Sequence, residues 1–278
     1  MVTSQAIYYM ILSLVICFTF PVLLYRFFLL REGISLKIVI FGAFVFLAIQ
    51  VAFRVTLLNY VIYQSWFSSI NNNIVYTGLV LGVVNSFFDE LSRFFSFKFV
   101  LNDALEWKNG IAYGIGYGGF EMMVLAGLSY TGNLILSLMI HARVFDSAAA
   151  SMLSTENLQQ VKMSLIHTMP AAFLLGGIDR IFIIFIQMAL TLVVLYGVMN
   201  NKYCYLLIAF LSHFCIDASI QITSAINPWF GALNAFVYGM ISLIVIRKSR
   251  YFFSCSHHLL SRVNAKSSDL SRSSYDIS

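Results

Sequence analysis

The sequence predicts an all-α protein, a polytopic bundle of about seven transmembrane helices. Three observations carry this. Sixty per cent of the 278 residues are hydrophobic and only 10% are charged, against about a quarter charged in an ordinary soluble domain. The mean hydropathy is +0.84. The apolar residues also fall in runs of about twenty, the length that crosses a hydrocarbon core as a helix. A water-soluble domain of this length could not bury so much apolar surface, whereas lipid removes the need to.

The spans follow in order. Ile7–Tyr25 is uncharged. It does not read as a cleaved signal peptide, since the residues Met1 to Gln5 carry no positive charge and no small-residue cleavage pattern follows. Leu36–Tyr60 is the second span, with Arg54 near its end. Ile74–Phe99 is the third and Gly110–Met139 the fourth. Pro170–Met199, Tyr203–Thr223 and Pro228–Ile246 complete the set. The reading gives one membrane domain over residues 1–248, with an outer loop at 141–169, and a cytoplasmic, disordered tail over 249–278.

Charge asymmetry orients the bundle. Arg26, Arg31 and Lys37 lie in the first loop, Lys98 and Lys108 flank the third, and Lys202 is in the fifth. Arg247, Lys248, Arg250, Arg262, Lys266 and Arg272 follow the last span. The alternate loops carry few charges or none, so the N-terminus is expected outside and the C-terminus in the cytoplasm. The excess of basic residues then answers to anionic lipid headgroups, and no segment suits nucleic acid. In the outer loop, Leu158, Val161 and Leu165 recur at helical spacing behind the candidate caps Ser154 and Thr155.

Charged groups inside a membrane are costly, and they mark functional sites. Here they gather in the third to sixth spans: Asp89, Glu90 and Arg93; Glu121; Asp179, Arg180 and Gln187; His213 and Asp217. Some are expected to be plain ion pairs, Asp89 with Arg93 and Asp179 with Arg180. Glu90, Glu121, His213 and Asp217 exceed what pairing requires. His213 and Asp217 stand four residues apart, as do Tyr117 and Glu121, so each pair shares a helix face. A carboxylate near an imidazole in a water-bearing cleft is what general-base hydrolysis needs. His213, Asp217 and one glutamate are also residue types that hold zinc, although the preferred reading has no cofactor.

Other motifs have simpler readings. Gly114-Ile-Gly116-Tyr-Gly118-Gly119 matches a dinucleotide fingerprint in letters, but no strand precedes it. Gly114 with Gly118, and Gly78 with Gly82, read instead as close helix contacts. Cys17, Cys204, Cys215 and Cys255 show no paired spacing, and the three within spans are expected to fill the core. His257 and His258 belong to the polar tail.

The segment Phe88-Asp-Glu-Leu-Ser-Arg-Phe-Phe-Ser-Phe-Lys98 resembles the E-E-x-x-R-y-x-x-F motif of YhfC-type intramembrane peptidases, relatives of the CAAX-protease and bacteriocin-processing enzymes. Ala112-Tyr-Gly-Ile-Gly-Tyr-Gly-Gly-Phe-Glu121 is similar to that family's A-Y-G-x-G-H-G-G-x-E. Gly177-Ile-Asp-Arg180 with Gln187, and Leu211-Ser-His-Phe-Cys-Ile-Asp217, resemble its E-R-x(6)-H and H-x-x-x-D segments. The resemblance implies a glutamate-type intramembrane endopeptidase acting on a membrane-embedded or lipidated peptide. It makes Glu90 or Asp89 the base, has Arg93 orient the carboxylates, and makes His213 and Asp217 the electrophilic pair. Glu121 becomes a further acid/base or structural carboxylate, with Tyr117, Asp179, Arg180 and Gln187 around them. Tyr117 and Gln187 stand where the family has histidine, and neither is a base near neutral pH. Two further readings remain open: a degenerate relative that binds membrane peptides, as in bacteriocin handling, and a small-solute transporter.

Overall fold

A computed structural model describes residues 1–62, 64, 67, 73–146 and 155–275. Helices account for its regular structure, with no strand among the described residues. Seven of them are long and apolar enough to cross a membrane. These are α1 (Ser4–Glu32), α2 (Leu36–Val61), α3 (Ile74–Val100), α4 (Trp107–His141), α6 (Pro170–Met199), α7 (Cys204–Ile226) and the Pro228–Cys255 part of α8. A shorter helix, α5 (Thr155–His167), lies between α4 and α6.

Local chemistry sets the helix ends. Thr3 caps α1, its hydroxyl accepting from the Ala6 amide. Gly33 ends the helix at φ +63°, a left-handed conformation that glycine adopts without strain. The Asn73 side chain accepts from the Val75 and Tyr76 amides at the start of α3. Pro170 opens α6 at the position where its missing N–H costs nothing.

The bundle is organised on α6, whose most apolar stretch is 67% buried, against 28% or less in the other six spans. It packs on α1, α4, α7 and α8, while α2 lies along α4 and α3 along α7. Glycines allow these approaches. A Cβ at Gly114 or Gly118 would press on Met188 or Gln187 of α6, and one at Gly82 on Ala218 of α7. The runs with fingerprint-like spacing are therefore contact faces. Many other apolar side chains, such as Leu23, Leu30 and Phe44, point outward, as expected for helices solvated by lipid.

Contacts between the helix ends show alternating directions. At one end His141 Nε2 lies 2.8 Å from the Val2 carbonyl, and Ser13 Oγ donates to the Phe173 carbonyl at 2.8 Å. At the other, Arg250 meets Glu32 at 2.8 Å, and Trp107 Nε1 donates to Ser249 Oγ at 2.9 Å. The basic residues of the first and third loops and of the last helix thus share one end.

Three expectations can be set beside the structure. The backbone of α8 stays helical to Tyr275, where the sequence suggests a disordered tail from 249. Neither Gly nor Pro occurs after Gly239 to stop it. Of the cysteines, Cys17 is buried, whereas Cys204, Cys215 and Cys255 are exposed. Cys215 lies two residues from inward-facing His213, a spacing that turns it away from the same face. In the outer loop, α5 forms and buries Leu158 and Leu165; the cap at Ser154 lies outside the described residues, and nothing is described of the Thr155 side chain.

Candidate active site

Five helices bring polar side chains to one buried cluster. α3 contributes Asp89, Glu90 and Arg93, α4 Tyr117 and Glu121, α6 Gln187, α7 His213, and α2 Arg54. Asp89, Glu90, Arg93, Tyr117 and His213 are each at most 1% exposed. Groups so deep must be paired or hydrogen-bonded, and nearly all are.

Asp89 is the anchor of one branch. Its Oδ1 accepts from Arg54 Nη2 and, at 2.7 Å, from the Tyr117 hydroxyl. Arg54 also donates to Gln50 Oε1, one turn earlier, at 2.9 Å. Glu90 holds the other branch. Its Oε1 accepts from Arg93 Nη1 and lies 2.7 Å from His213 Nδ1. Since an ionised carboxylate only accepts, the His213 proton must sit on Nδ1. Arg93 reaches further, donating from Nη2 to Gln187 Oε1. Gln187 Nε2 in turn donates to Glu121 Oε2 at 2.6 Å. The Arg93 guanidinium lies 4.9 Å from the centre of the Tyr117 ring, a cation–π distance.

Asp217 is at the edge. Its Oδ2 accepts from Asn85 Nδ2 at 3.0 Å, and its Oδ1 is 3.7 Å from His213 Nε2. Asp179 and Arg180 do not join the network. Asp179 Oδ1 is buried without a hydrogen-bond partner. The expected pairing of Asp89 with Arg93 is replaced: Arg54 takes Asp89 and Arg93 takes Glu90. Either carboxylate is within reach of Arg93 along α3, being three or four residues away; the choice is made between helices, because Arg54 of α2 takes Asp89. Asn85 and Gln50 are parts of the site that the motifs do not flag.

Irregular turns aim these groups. π-helical turns at Gln50–Arg54, Ser96–Val100 and Met122–Gly127 lie at Arg54, just after Arg93 and just after Glu121. An extra residue in a turn rotates the downstream side chains by about 100° and widens the helix, a feature common at functional sites.

Within the network one oxygen is left over. Glu90 Oε2 is buried with no hydrogen-bond partner, and Glu90 lines a groove of about 320 Å³ between α3 and α7. The rest of that groove is aromatic or aliphatic, with Phe87, Leu91, Tyr203 and Phe210 among its walls.

The donor set does not fit a resident metal ion as arranged. A catalytic zinc takes three protein ligands. Among the described residues no three His, Cys, Asp or Glu side chains are grouped to share an ion. His213 directs Nδ1 to Glu90, and its Nε2 is 3.7 Å from Asp217 and 4.0 Å from Asp89. Two nitrogen and oxygen ligands on one tetrahedral zinc would lie about 3.4 Å apart. Guanidinium groups already balance Asp89 and Glu90.

The comparisons with known proteins agree with this architecture. The chain is 28% identical over 224 residues to a protein described as uncharacterized membrane protein YhfC, of Bacillus subtilis (strain 168), a match covering 77% of this chain and 83% of that protein. No solved structure matches. Residues 16–227, which hold every member of the buried network, match the family described as YhfC intramembrane metalloprotease; the chain belongs to that family.

Proposed function

We propose that the protein is an intramembrane endopeptidase that hydrolyses a peptide bond of a membrane-embedded or lipidated peptide, with Glu90 as general base. The observation that carries this is the asymmetry of Glu90. One oxygen is fixed by Arg93 and His213, and the other is unpaired beside a groove open at the bundle surface. A water on Oε2 loses a proton to Glu90 as its oxygen adds to the scissile carbonyl. Glu90 then returns that proton to the amide nitrogen as the C–N bond breaks. With its second proton on Nε2, the His213 imidazolium donates to the developing oxyanion, while Nδ1 stays on Glu90 Oε1 and holds the ring in place. The family description implies a metal; because the donor set does not fit one, no step here passes through it.

The distribution of basic loops supports an orientation with the N-terminus outside and the C-terminus in the cytoplasm. The groove then begins at Tyr203 near the cytoplasmic surface and leads inward to Glu90. Co-expression with a single-span membrane peptide tests the proposal. Wild type cleaves it, and Glu90→Gln and His213→Ala do not. Absence of cleavage by wild type across a panel of such peptides would refute it.

A second reading has its own observation. Tyr117 and Gln187 are held in the hydrogen-bond network and neither accepts a proton near neutral pH. A protein that binds membrane peptides without cutting them would look like this. Protection of a co-expressed peptide by wild type, with cleavage gained in the Tyr117→His, Gln187→His double variant, would favour it.

A further inference from the structure

At the basic end of the bundle, sharing no lining residue with the Glu90 groove, a cavity of about 680 Å³ opens between the end of α1, the start of α4 and the middle of α8. Arg31, Arg247 and Arg250 line it, with Glu32 as the one carboxylate. Glu32 is committed to Arg250 at 2.8 Å, and the Arg250 guanidinium also lies over the Trp107 ring at 5.4 Å. Arg31 lies over the Phe27 ring at 5.5 Å, which leaves its charge unbalanced. Arg247 has no ion pair among the described residues. The cavity therefore holds two positive charges in excess, and its inner walls, Phe28, Leu243 and Ile246, are apolar.

We infer that this cavity binds an anionic phospholipid. Guanidinium groups match phosphate oxygens in geometry and charge. The phosphate sits between Arg31 and Arg247, and the acyl chains descend along Phe28, Leu243 and Ile246. The Trp107 indole marks the depth, since tryptophan favours the headgroup region. A soluble phosphate would satisfy the arginines but gain nothing from the apolar walls. The lipid ties together α1, α4 and α8 at one end, and α4 is the helix that carries Tyr117 and Glu121. The inference is independent of peptidase activity.

Native mass spectrometry of the full chain in mixed micelles of dioleoyl phosphatidylglycerol and dioleoyl phosphatidylcholine tests it. Wild type retains phosphatidylglycerol over phosphatidylcholine by about tenfold, and Arg31→Gln or Arg247→Gln lowers that preference by about fivefold each. Arg247→Lys keeps most of it, because the charge stays. All these side chains are exposed, and an unchanged elution profile reports that each variant is folded. Equal retention of the two lipids by wild type, or an unchanged preference in the Arg31→Gln, Arg247→Gln double variant, would overturn the inference. So would displacement of the lipid by millimolar inorganic phosphate, which would assign the arginines to a soluble anion.

Discussion

Glu90 and Asp89 are neighbours with different surroundings. Asp89 Oδ1 takes both Arg54 and Tyr117, whereas Glu90 keeps Oε2 without a protein donor. The two carboxylates should respond differently to loss of charge. Glu90→Gln is expected to lower cleavage of a membrane peptide by about 10²- to 10⁴-fold, the range of a lost general base, as read from the ratio of product to precursor. Tyr117→Phe removes a donor from buried Asp89 but leaves the ring under Arg93. It should cost about 1–3 kcal/mol of stability, seen as a lower melting temperature in detergent. Arg93→Met breaks the buried ion pair and leaves Glu90 Oε1 with His213 alone; removing one partner of a buried pair costs up to about 3–5 kcal/mol, so this variant should reduce the folded yield most. The identity of these residues is readable from the sequence, since Glu90, Arg93, Glu121, His213 and Asp217 stand out as charges in apolar runs. Their pairing is not readable. Whether Asp89 meets Arg93 or Arg54 depends on how α2 is rotated against α3, and no spacing rule within one helix reports that.

Helix contacts can be tested by adding single methyl groups. Gly116 of α4 lies against the backbone of Val39 in α2, where a Cβ would overlap the carbonyl. Backbone cannot move aside as a side chain can, so Gly116→Ala should cost at least the roughly 1–3 kcal/mol of an overpacked core. Gly132, on the same helix, has nothing within 4 Å of its Cβ position. Gly132→Ala should be neutral or gain up to about 1 kcal/mol from helix propensity. The pair makes an internal control, read by thermal unfolding of both variants under one condition. A Gly116→Ala variant as stable as wild type would mean that α2 and α4 are farther apart than this packing requires. The small-residue spacing of Gly114 with Gly118 and of Gly78 with Gly82 makes close contacts legible in the sequence, because only small residues let backbones approach so closely. The π-helical turns are not legible there. An inserted residue leaves composition and hydropathy unchanged, and its effect on Arg54 or on the face after Glu121 emerges only once tertiary contacts choose the wider turn.

For the whole molecule, span number and alternation come from the same physics as the sequence reading: backbone groups must be satisfied inside each helix, and basic residues outside the buried network gather at one end. The span limits differ from the expected ones by a few residues at most ends. The larger differences are at α1, which extends to Glu32, and at α8, where helix continues past the apolar stretch because nothing breaks it. The orientation proposed from the loop charges can be tested with single cysteines in a background in which Cys17, Cys204, Cys215 and Cys255 are serine. Asp146 is exposed at the end that holds His141, and its 2.7 Å pair with Lys162 is a surface contact whose loss costs little. Lys108 is exposed at the opposite end, beside Trp107. A membrane-impermeant maleimide applied to intact cells should label Asp146→Cys and leave Lys108→Cys unmodified until the cells are opened. The reverse result would invert the bundle and bring the groove at Tyr203 to the outer surface, so substrates would approach from the other leaflet. Labelling of both positions from outside would contradict the odd number of crossings between them, and with it the antiparallel contacts that hold Val2 to His141 and Glu32 to Arg250.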